Sequence, residues 1–343
     1  MNPIILSIMI SNLALGTIIT ASSFHWLMAW IGLELNTLSI IPVLAKQHHP
    51  RATEAATKYF IIQATASLIM LFSSTLNAFS TGTWDIMQLS THPATSLLLL
   101  AMAMKLGLAP MHFWLPEVMQ GTSMSTALII ATWQKLPPMA ILFLTANHLP
   151  FPILPMLAIM SILIGGWSGL NQTQMRKIMA FSSIAHLGWM LTILCISQKL
   201  FTITLLIYIF MTTSIFLTMI ICTTKTFKDM GQMWNTSPTI AASTMLILMS
   251  LGGLPPLIGF FPKLLILEKL VTNSLTFLAT CMALLSLLSL FFYLRLSYIS
   301  TLTILPNTTS TSMKWRFKPT NPTLILPMLS TLLLSFPLIP MAL

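Results

Sequence analysis

Long apolar runs, separated by short polar or charged breaks, fill the chain from its first residues nearly to its last. They lack the alternating ten-residue pattern that marks the strands of a membrane barrel. Segments of about 20 apolar residues can cross a bilayer core as helices. They fall at roughly 3–20, 24–45, 58–80, 97–115, 124–146, 150–171, 175–197, 200–223, 239–270, 275–299 and 322–341. The pattern predicts an all-α polytopic membrane protein with about eleven transmembrane helices. The ninth segment is too long for one straight crossing, since about 32 residues of helix reach roughly 48 Å against a core of about 30 Å. A break is therefore expected within it. The opening "MNPIILSIMISNLALG" lacks a basic leader region and reads as the start of the first span rather than a signal or transit peptide.

Composition agrees with this class. Of 343 residues, 56% are hydrophobic and only 6% charged, with a mean hydropathy of +0.88. Charges this sparse cannot cover a water-facing surface, since soluble domains carry about 25%. The net charge of +10 does not imply nucleic acid, because the basic residues are thinly spread and form no stripe with interleaved aromatics. They mark orientation instead. The loops after the second, sixth, eighth and tenth spans hold Lys46, Arg51, Lys58, Arg176, Lys177, Lys225, Lys228, Lys314, Arg316 and Lys318, whereas the opposite loops hold little beyond Asp85 and Lys199. The basic side is the cytoplasm or its equivalent and carries the N-terminus. An odd number of spans then puts the C-terminus on the other side. Cys195, Cys222 and Cys281 stand singly and offer no spacing for a disulfide, a metal or an iron–sulfur cluster. The 26 methionines fit either gap-filling packing or a genetic code with extra Met codons.

The few ionisable residues inside the spans carry the candidate chemistry. Glu34 in "WIGLELN", Lys105 in "AMAMKLGLAP" and Lys135 in "TWQKLPP" each lie roughly 12–17 Å below a membrane surface at 1.5 Å per residue. Lys263 follows "GGLPPLIGFFP" in the ninth span. His112 and His186 add groups that titrate near neutral pH. A lone charge at bilayer depth costs about 2.5–3.5 kcal/mol on insertion scales, so such groups face protein or water and mark ion or proton paths. Glu34 and Lys105 also fit a plain helix–helix ion pair. His186 also fits a buried imidazole bonded to Ser182 or Ser183, which share its helical face.

Proline sharpens the case, because it frees the carbonyl four residues earlier. For Pro110 that carbonyl belongs to Leu106, beside Lys105. For Pro138 it belongs to Gln134, beside Lys135. Freed carbonyls persist in a membrane only where protein or water satisfies them, so each break suggests a small wet cavity. A lysine there is a reversible proton carrier rather than a fixed cation. The fourth span, with Lys105 and Pro110, recurs five spans later as the ninth, with Lys263, Pro255, Pro256 and Pro262. Pro-interrupted spans at matching places point to an inverted-repeat transporter. The expected organisation is two inverted five-helix repeats, 1–148 and 149–300, with broken fourth and ninth helices. Residues 301–343 then form a connecting loop and a C-terminal transmembrane helix.

The motifs "WIGLELN", "MKLGLAPMHFWLPEV", "TWQKLPP", "QMRKIMAFSSIAHLGWM" and "GGLPPLIGFFPK" together resemble those of the mitochondrial NADH dehydrogenase subunit 2 family. These are antiporter-like membrane subunits of respiratory complex I, related to Mrp-type cation/proton antiporters. The resemblance covers essentially the whole chain and implies proton translocation coupled at a distance to electron transfer from NADH to ubiquinone. It implies that Glu34 pairs with Lys105 on a broken helix, that Lys135 is the central lysine of the path and that Lys263 serves the exit side. His112 and His186 would extend the polar axis. It further implies a multi-pass protein of the mitochondrial inner membrane, with the N-terminus in the matrix and the C-terminus facing the intermembrane space. Partners would be other membrane-arm subunits and membrane lipid, cardiolipin included, but no nucleic acid. No cofactor is expected on this chain, with FMN, iron–sulfur clusters and the NADH and ubiquinone sites on other subunits. A free-standing cation/proton antiporter is the alternative, against which only Glu34 is available at depth to coordinate sodium. A non-conducting helical scaffold is a third reading.

Overall fold

The computed structural model describes residues 3–236, 238–255 and 257–302. The predicted eleventh span (322–341), the polar connection before it and Pro256 lie outside the described residues. Within them the chain is helical, and its only strand-like pairings are two isolated bridges, His25 with Asp85 and Gln174 with Thr226.

Helices α1 (Pro3–Ser22), α2 (Trp26–Leu44) and α3 (Pro50–Thr81) open the chain. They are followed by α4 (His92–Leu106), α5 (Trp114–Gly121), α6 (Met124–Ala131) and α7 (Leu136–Thr145). Helices α8 (Ile153–Gly169), α9 (Met175–Leu194), α10 (Gln198–Ile221), α11 (Phe227–Gly231) and α12 (Met233–Thr236) come next. The described part closes with α13 (Pro238–Gly252), α14 (Phe260–Thr272) and α15 (Thr276–Leu302). Seven helical segments, with α6 and α7 taken as one, are long and apolar enough to cross a membrane, and shorter apolar helices accompany them. Two compact units emerge. One holds the residues up to Ser161 together with Met190–Gln198, and the other holds Ile162–Trp189 together with the described residues from Lys199 onward.

Local chemistry sets the helix ends. The ring nitrogens of His25 and His49 accept the backbone N–H groups of Leu27 and Arg51, each at 3.2 Å, and so cap α2 and α3. Pro50 fills the first turn of α3, where its missing N–H costs nothing. α3 therefore starts before the predicted boundary at 58 and takes Arg51 and Lys58, expected in a loop, into its first turns together with Glu54. α1 and α2 meet through glycine. A Cβ on Gly16 would lie 2.9 Å from the Gly32 carbonyl oxygen, and one on Gly32 would lie 2.6 Å from the Thr20 methyl. The two backbones are in near contact, the small-residue packing that draws helices together where lipid offers no hydrophobic drive.

The helical serines and threonines mostly look after themselves. Ser73, Ser161 and Thr218 donate to carbonyls three residues back (Met70, Ala158 and Ile215), while Thr212 reaches Tyr208 four residues back, all at 2.7–2.8 Å. These bonds satisfy the hydroxyl within its own helix.

Three interruptions break long apolar segments. The fourth segment stops at Leu106 and resumes at Trp114, and the ninth stops at Gly252 and resumes at Phe260. The fifth, where Pro138 was expected to open the ladder beside Lys135, is interrupted by a 3-10 turn at Trp133–Lys135 between α6 and α7.

Candidate functional site

The first interruption is made by glycine rather than proline. Gly107 takes the left-handed conformation (φ 73°) that glycine adopts without strain, and its N–H turns back to the α4 carbonyls. The freed carbonyls differ from the one that Pro110 alone predicts. The Lys105 carbonyl accepts the Gln63 amide of α3 at 3.3 Å, and the Met104 carbonyl accepts the Trp114 indole N–H at 3.1 Å. Protein groups therefore take up these open ends of the ladder. In the fifth segment Pro137 and Pro138 sit in the first turn of α7, where no N–H is required, and Lys135 falls in the turn just before them.

These breaks bring Lys105 and Lys135 to one cavity. Asn36, Thr37, Tyr59, Gln63, Trp114 and Gln134 supply much of the rest of its wall. About 20 Å³ is open to the centre of a water-sized sphere, a little above the 10–15 Å³ or so that one water requires. Lys105 is 4% exposed and Lys135 6%. The Lys105 ammonium, the Gln134 amide nitrogen and both polar atoms of the Asn36 amide have no hydrogen-bond partner. The other end of Gln134 is held, because its Oε1 accepts the Tyr59 hydroxyl at 3.3 Å. No carboxylate lines this cavity.

Glu34 lies on α2 as predicted but without the predicted ion pair. Among the described residues both ion pairs belong to Lys58, which reaches Glu54 at 2.6 Å and Glu117 at 2.7 Å. Glu34 and Lys105 form no contact pair. The Glu34 carboxylate accepts the Thr37 hydroxyl of its own helix at 3.0 Å, and it acts on Lys105 only through space. His112 lies inside the first break, 5% exposed. Its Nδ1 is 3.2 Å from the Pro110 carbonyl and its ring leans on Phe113.

The second unit holds the other two predicted residues. Lys263, near the start of α14, reaches back over the break and donates to the Gly252 carbonyl at 3.0 Å and the Leu251 carbonyl at 3.4 Å. These belong to the end of α13, where the helix dipole presents negative charge to a cation. Lys263 thus meets a helix terminus where a carboxylate partner would otherwise stand. His186 packs its ring against Tyr208 at 5.7 Å. Ser182 and Ser183 turn their hydroxyl protons to the Met179 and Ala180 carbonyls.

Sequence reasoning missed the uncharged frame of the first cavity: Asn36, Tyr59, Gln63 and Gln134. Tyr59 and Gln63 are four residues apart and share a helix face, and Gln134 adjoins Lys135. Amides at that depth are costly enough to have been a signal. Among the described residues no three His, Cys, Asp or Glu side chains cluster to hold a metal.

Comparison with known proteins bears on the whole length. Residues 23–289 match the family model for the NADH:quinone oxidoreductase/Mrp antiporter transmembrane region, and residues 290–343 match that for the C-terminus of NADH dehydrogenase subunit 2. NADH-ubiquinone oxidoreductase chain 2 of Salmo salar is 53% identical over 99% of this chain and 98% of its own length. The corresponding chain of Xenopus laevis is 52% identical over 95% of this chain and 94% of its own. Among solved structures, a chain of respiratory complex I from Thermus thermophilus with bound aureothin superposes with a TM-score of 0.88 at 26% identity, covering 99% of this chain and 79% of that one. A chain of the Mrp complex from Dietzia sp. DQ12-45-1b shares the fold, with a TM-score of 0.77 at 20% identity over 84% of this chain and 59% of that one.

Proposed function

The chain belongs to the NADH dehydrogenase subunit 2 family, and on that premise we propose that Lys105 and Lys135, facing one buried cavity, carry protons through its first unit. It is an antiporter-like membrane subunit of the proton-translocating NADH:ubiquinone oxidoreductase, in the mitochondrial inner membrane. Glu34 biases Lys105 through space, and His112 extends the polar route at the break. In the second unit Lys263 and His186 exchange protons in their own surroundings. FMN, iron–sulfur clusters and the NADH and ubiquinone sites belong to other subunits, so redox energy reaches these lysines from outside the chain. The remaining partners are other membrane-arm subunits and lipid, cardiolipin included.

One observation carries this reading: two buried lysines line a cavity with amide and phenol groups and no carboxylate. Two ammonium ions in a low-dielectric space repel each other strongly, so a proton on one disfavours a proton on the other. The volume suits a water that hands the proton across. The neutral amides orient that water without fixing either charge. A scaffold would gain more from packed apolar side chains than from buried amines.

The same premise supports the finer architecture. Eleven spans, arranged as repeats 1–148 and 149–300 of opposite orientation with 301–343 completing the chain, place the N-terminus in the matrix and the C-terminus in the intermembrane space. Each repeat carries the same clip between the start of its second helix and the loop after its third. Trp26 N–H donates to the Trp84 carbonyl at 3.1 Å, and Met175 N–H donates to the Lys225 carbonyl at 3.1 Å. The first clip lies by Asp85 and the second among Arg176, Lys177 and Lys225.

The test is Lys135→Ala in the assembled complex, scored as protons moved per NADH oxidised in proteoliposomes. The ratio should fall while assembly persists. An unchanged ratio in a fully assembled complex would remove Lys135 as an obligatory carrier.

A further inference from the structure

The two helix breaks share one register. Leu106 and Gly252 end α4 and α13, Gly107 and Gly253 follow with φ 73° and 84°, and Trp114 and Phe260 open α5 and α14. Their backbone bonds correspond in turn. Gly107 to Met104 (3.2 Å) and Leu108 to Ala103 (2.9 Å) match Gly253 to Ser250 (2.9 Å) and Leu254 to Met249 (3.3 Å). Leu115 to His112 (3.1 Å) matches Phe261 to Ile258 (3.3 Å). The sequences agree as well, "GLAPMHFWLPE" (107–117) lying against "GLPPLIGFFPK" (253–263).

In that register Lys105 and Lys263 are not counterparts, contrary to the pairing drawn from the sequence. Lys105 falls opposite Leu251, before the break. Lys263 falls opposite Glu117, in the first turn after it. The residue of the first unit that stands where Lys263 stands in the second is thus an acid, Glu117, to which the sequence reading gave no role.

The surroundings of Glu117 suit proton exchange with solvent. Its side chain is 53% exposed and bonded to Lys58, which also holds Glu54. The three groups carry one net negative charge on the side of the chain richest in lysine and arginine. α5 is seated there closely: a Cβ on Gly121 would lie 2.7 Å from the Arg51 carbonyl oxygen. One turn before Glu117, Trp114 and Leu115 of the same short helix form part of the wall of the cavity that holds the unpartnered Lys105 ammonium. The first turn of α5 therefore carries both an exposed acid and part of the cavity wall.

We propose that Glu117 is the proton-uptake group of the first unit, the acidic counterpart of Lys263 in the second. This rests on reading Lys263 and Lys135 as proton-exchanging groups. The Glu117 carboxylate accepts a proton from hydronium on the basic side, which leaves as water. The O–H bond so formed brings the net charge of the cluster to zero. The bond then breaks as the proton passes to a water on the cavity side, and the carboxylate returns to Lys58.

The experiment compares Glu117→Gln, Glu54→Gln and Lys135→Ala in the assembled complex, read as protons per NADH in proteoliposomes. Each of the two glutamine variants removes one of the two ion pairs of Lys58, but only the first removes the uptake group. Glu117→Gln should lower the ratio as far as Lys135→Ala does, and Glu54→Gln should leave it at the parent value. Equal losses from the two glutamine variants would reduce the cluster to a helix staple and overturn the inference. So would a normal ratio for Glu117→Gln beside a lowered one for Lys135→Ala, which leaves the lysine reading standing. A normal ratio for Lys135→Ala itself would remove that reading and the inference with it. Should Glu117→Gln fail to assemble, the charge-swapped pair Lys58→Glu with Glu117→Lys restores the bridge without the acid at 117. Assembly with a lowered ratio then supports uptake at Glu117, and full recovery of pumping overturns it.

Discussion

A methyl group at Gly253 would lie 2.9 Å from the Lys263 ammonium, on a backbone with φ 84°. Both facts disfavour any larger residue, the second alone by about 1–2 kcal/mol. Gly253→Ala should therefore push Lys263 off the α13 carbonyls and lower protons pumped per NADH, with the complex still assembled. A variant that assembles and pumps normally would show that the carbonyl contact is dispensable. Asp229 makes a contrasting case outside the spans. Burial alone would raise its carboxyl pKa, but the N–H groups of Lys225 and Thr226 and the Thr226 hydroxyl together hold it below the ordinary 3.8. A carboxyl lowered in the folded state adds stability above its unfolded pKa and loses it as pH falls through the folded value. Between neutrality and the ordinary carboxylate range this cap should stay intact. Asp229→Ala should cost about 1 kcal/mol of local stability, read as roughly fivefold faster hydrogen exchange at the Lys225 and Thr226 amides at pH 7. No change in exchange would mean that these amides are protected by something other than the carboxylate.

Helices here are shaped as much by their neighbours as by their own sequence. α4 ends beside a lysine in the middle of an apolar segment, and α3 makes that end tolerable by sending Gln63 to the Lys105 carbonyl. Gln63→Met keeps the volume but removes the donor, leaving a buried carbonyl unsatisfied at a cost of about 1–3 kcal/mol. The amount of intact complex on native gels should fall, and its melting temperature with it. An unaffected complex would mean that another donor reaches the carbonyl. The sequence disclosed that α4 must break but not where. Pro110 is the obvious breaker, yet Gly107 stops the helix first, and a single glycine in an apolar run does not announce a left-handed backbone. The start of α3 was hidden for a related reason. Arg51, Glu54 and Lys58 look like loop residues to a hydropathy reading, but a helix can continue past the apolar zone when a capping histidine and a proline start it there.

Across the whole molecule, the helical membrane class was legible from composition and the lengths of the apolar runs, and so were the charged groups at depth. Charge in lipid is rare enough that Lys105, Lys135 and Lys263 stood out one at a time. Their surroundings were not legible, because the gathering of Tyr59, Gln134 and the lysines around one cavity depends on tertiary packing that no spacing rule encodes. Glu34 was located correctly on its helix and given the wrong contact for the same reason. One further property follows from the hydroxyls bonded within their own helices. A serine whose proton rests three residues back can become alanine without stranding a partner, since the backbone carbonyl keeps its amide. Such positions absorb codon changes silently, so inherited variation should collect on them and spare the amides, lysines and glycines that reach across to another helix.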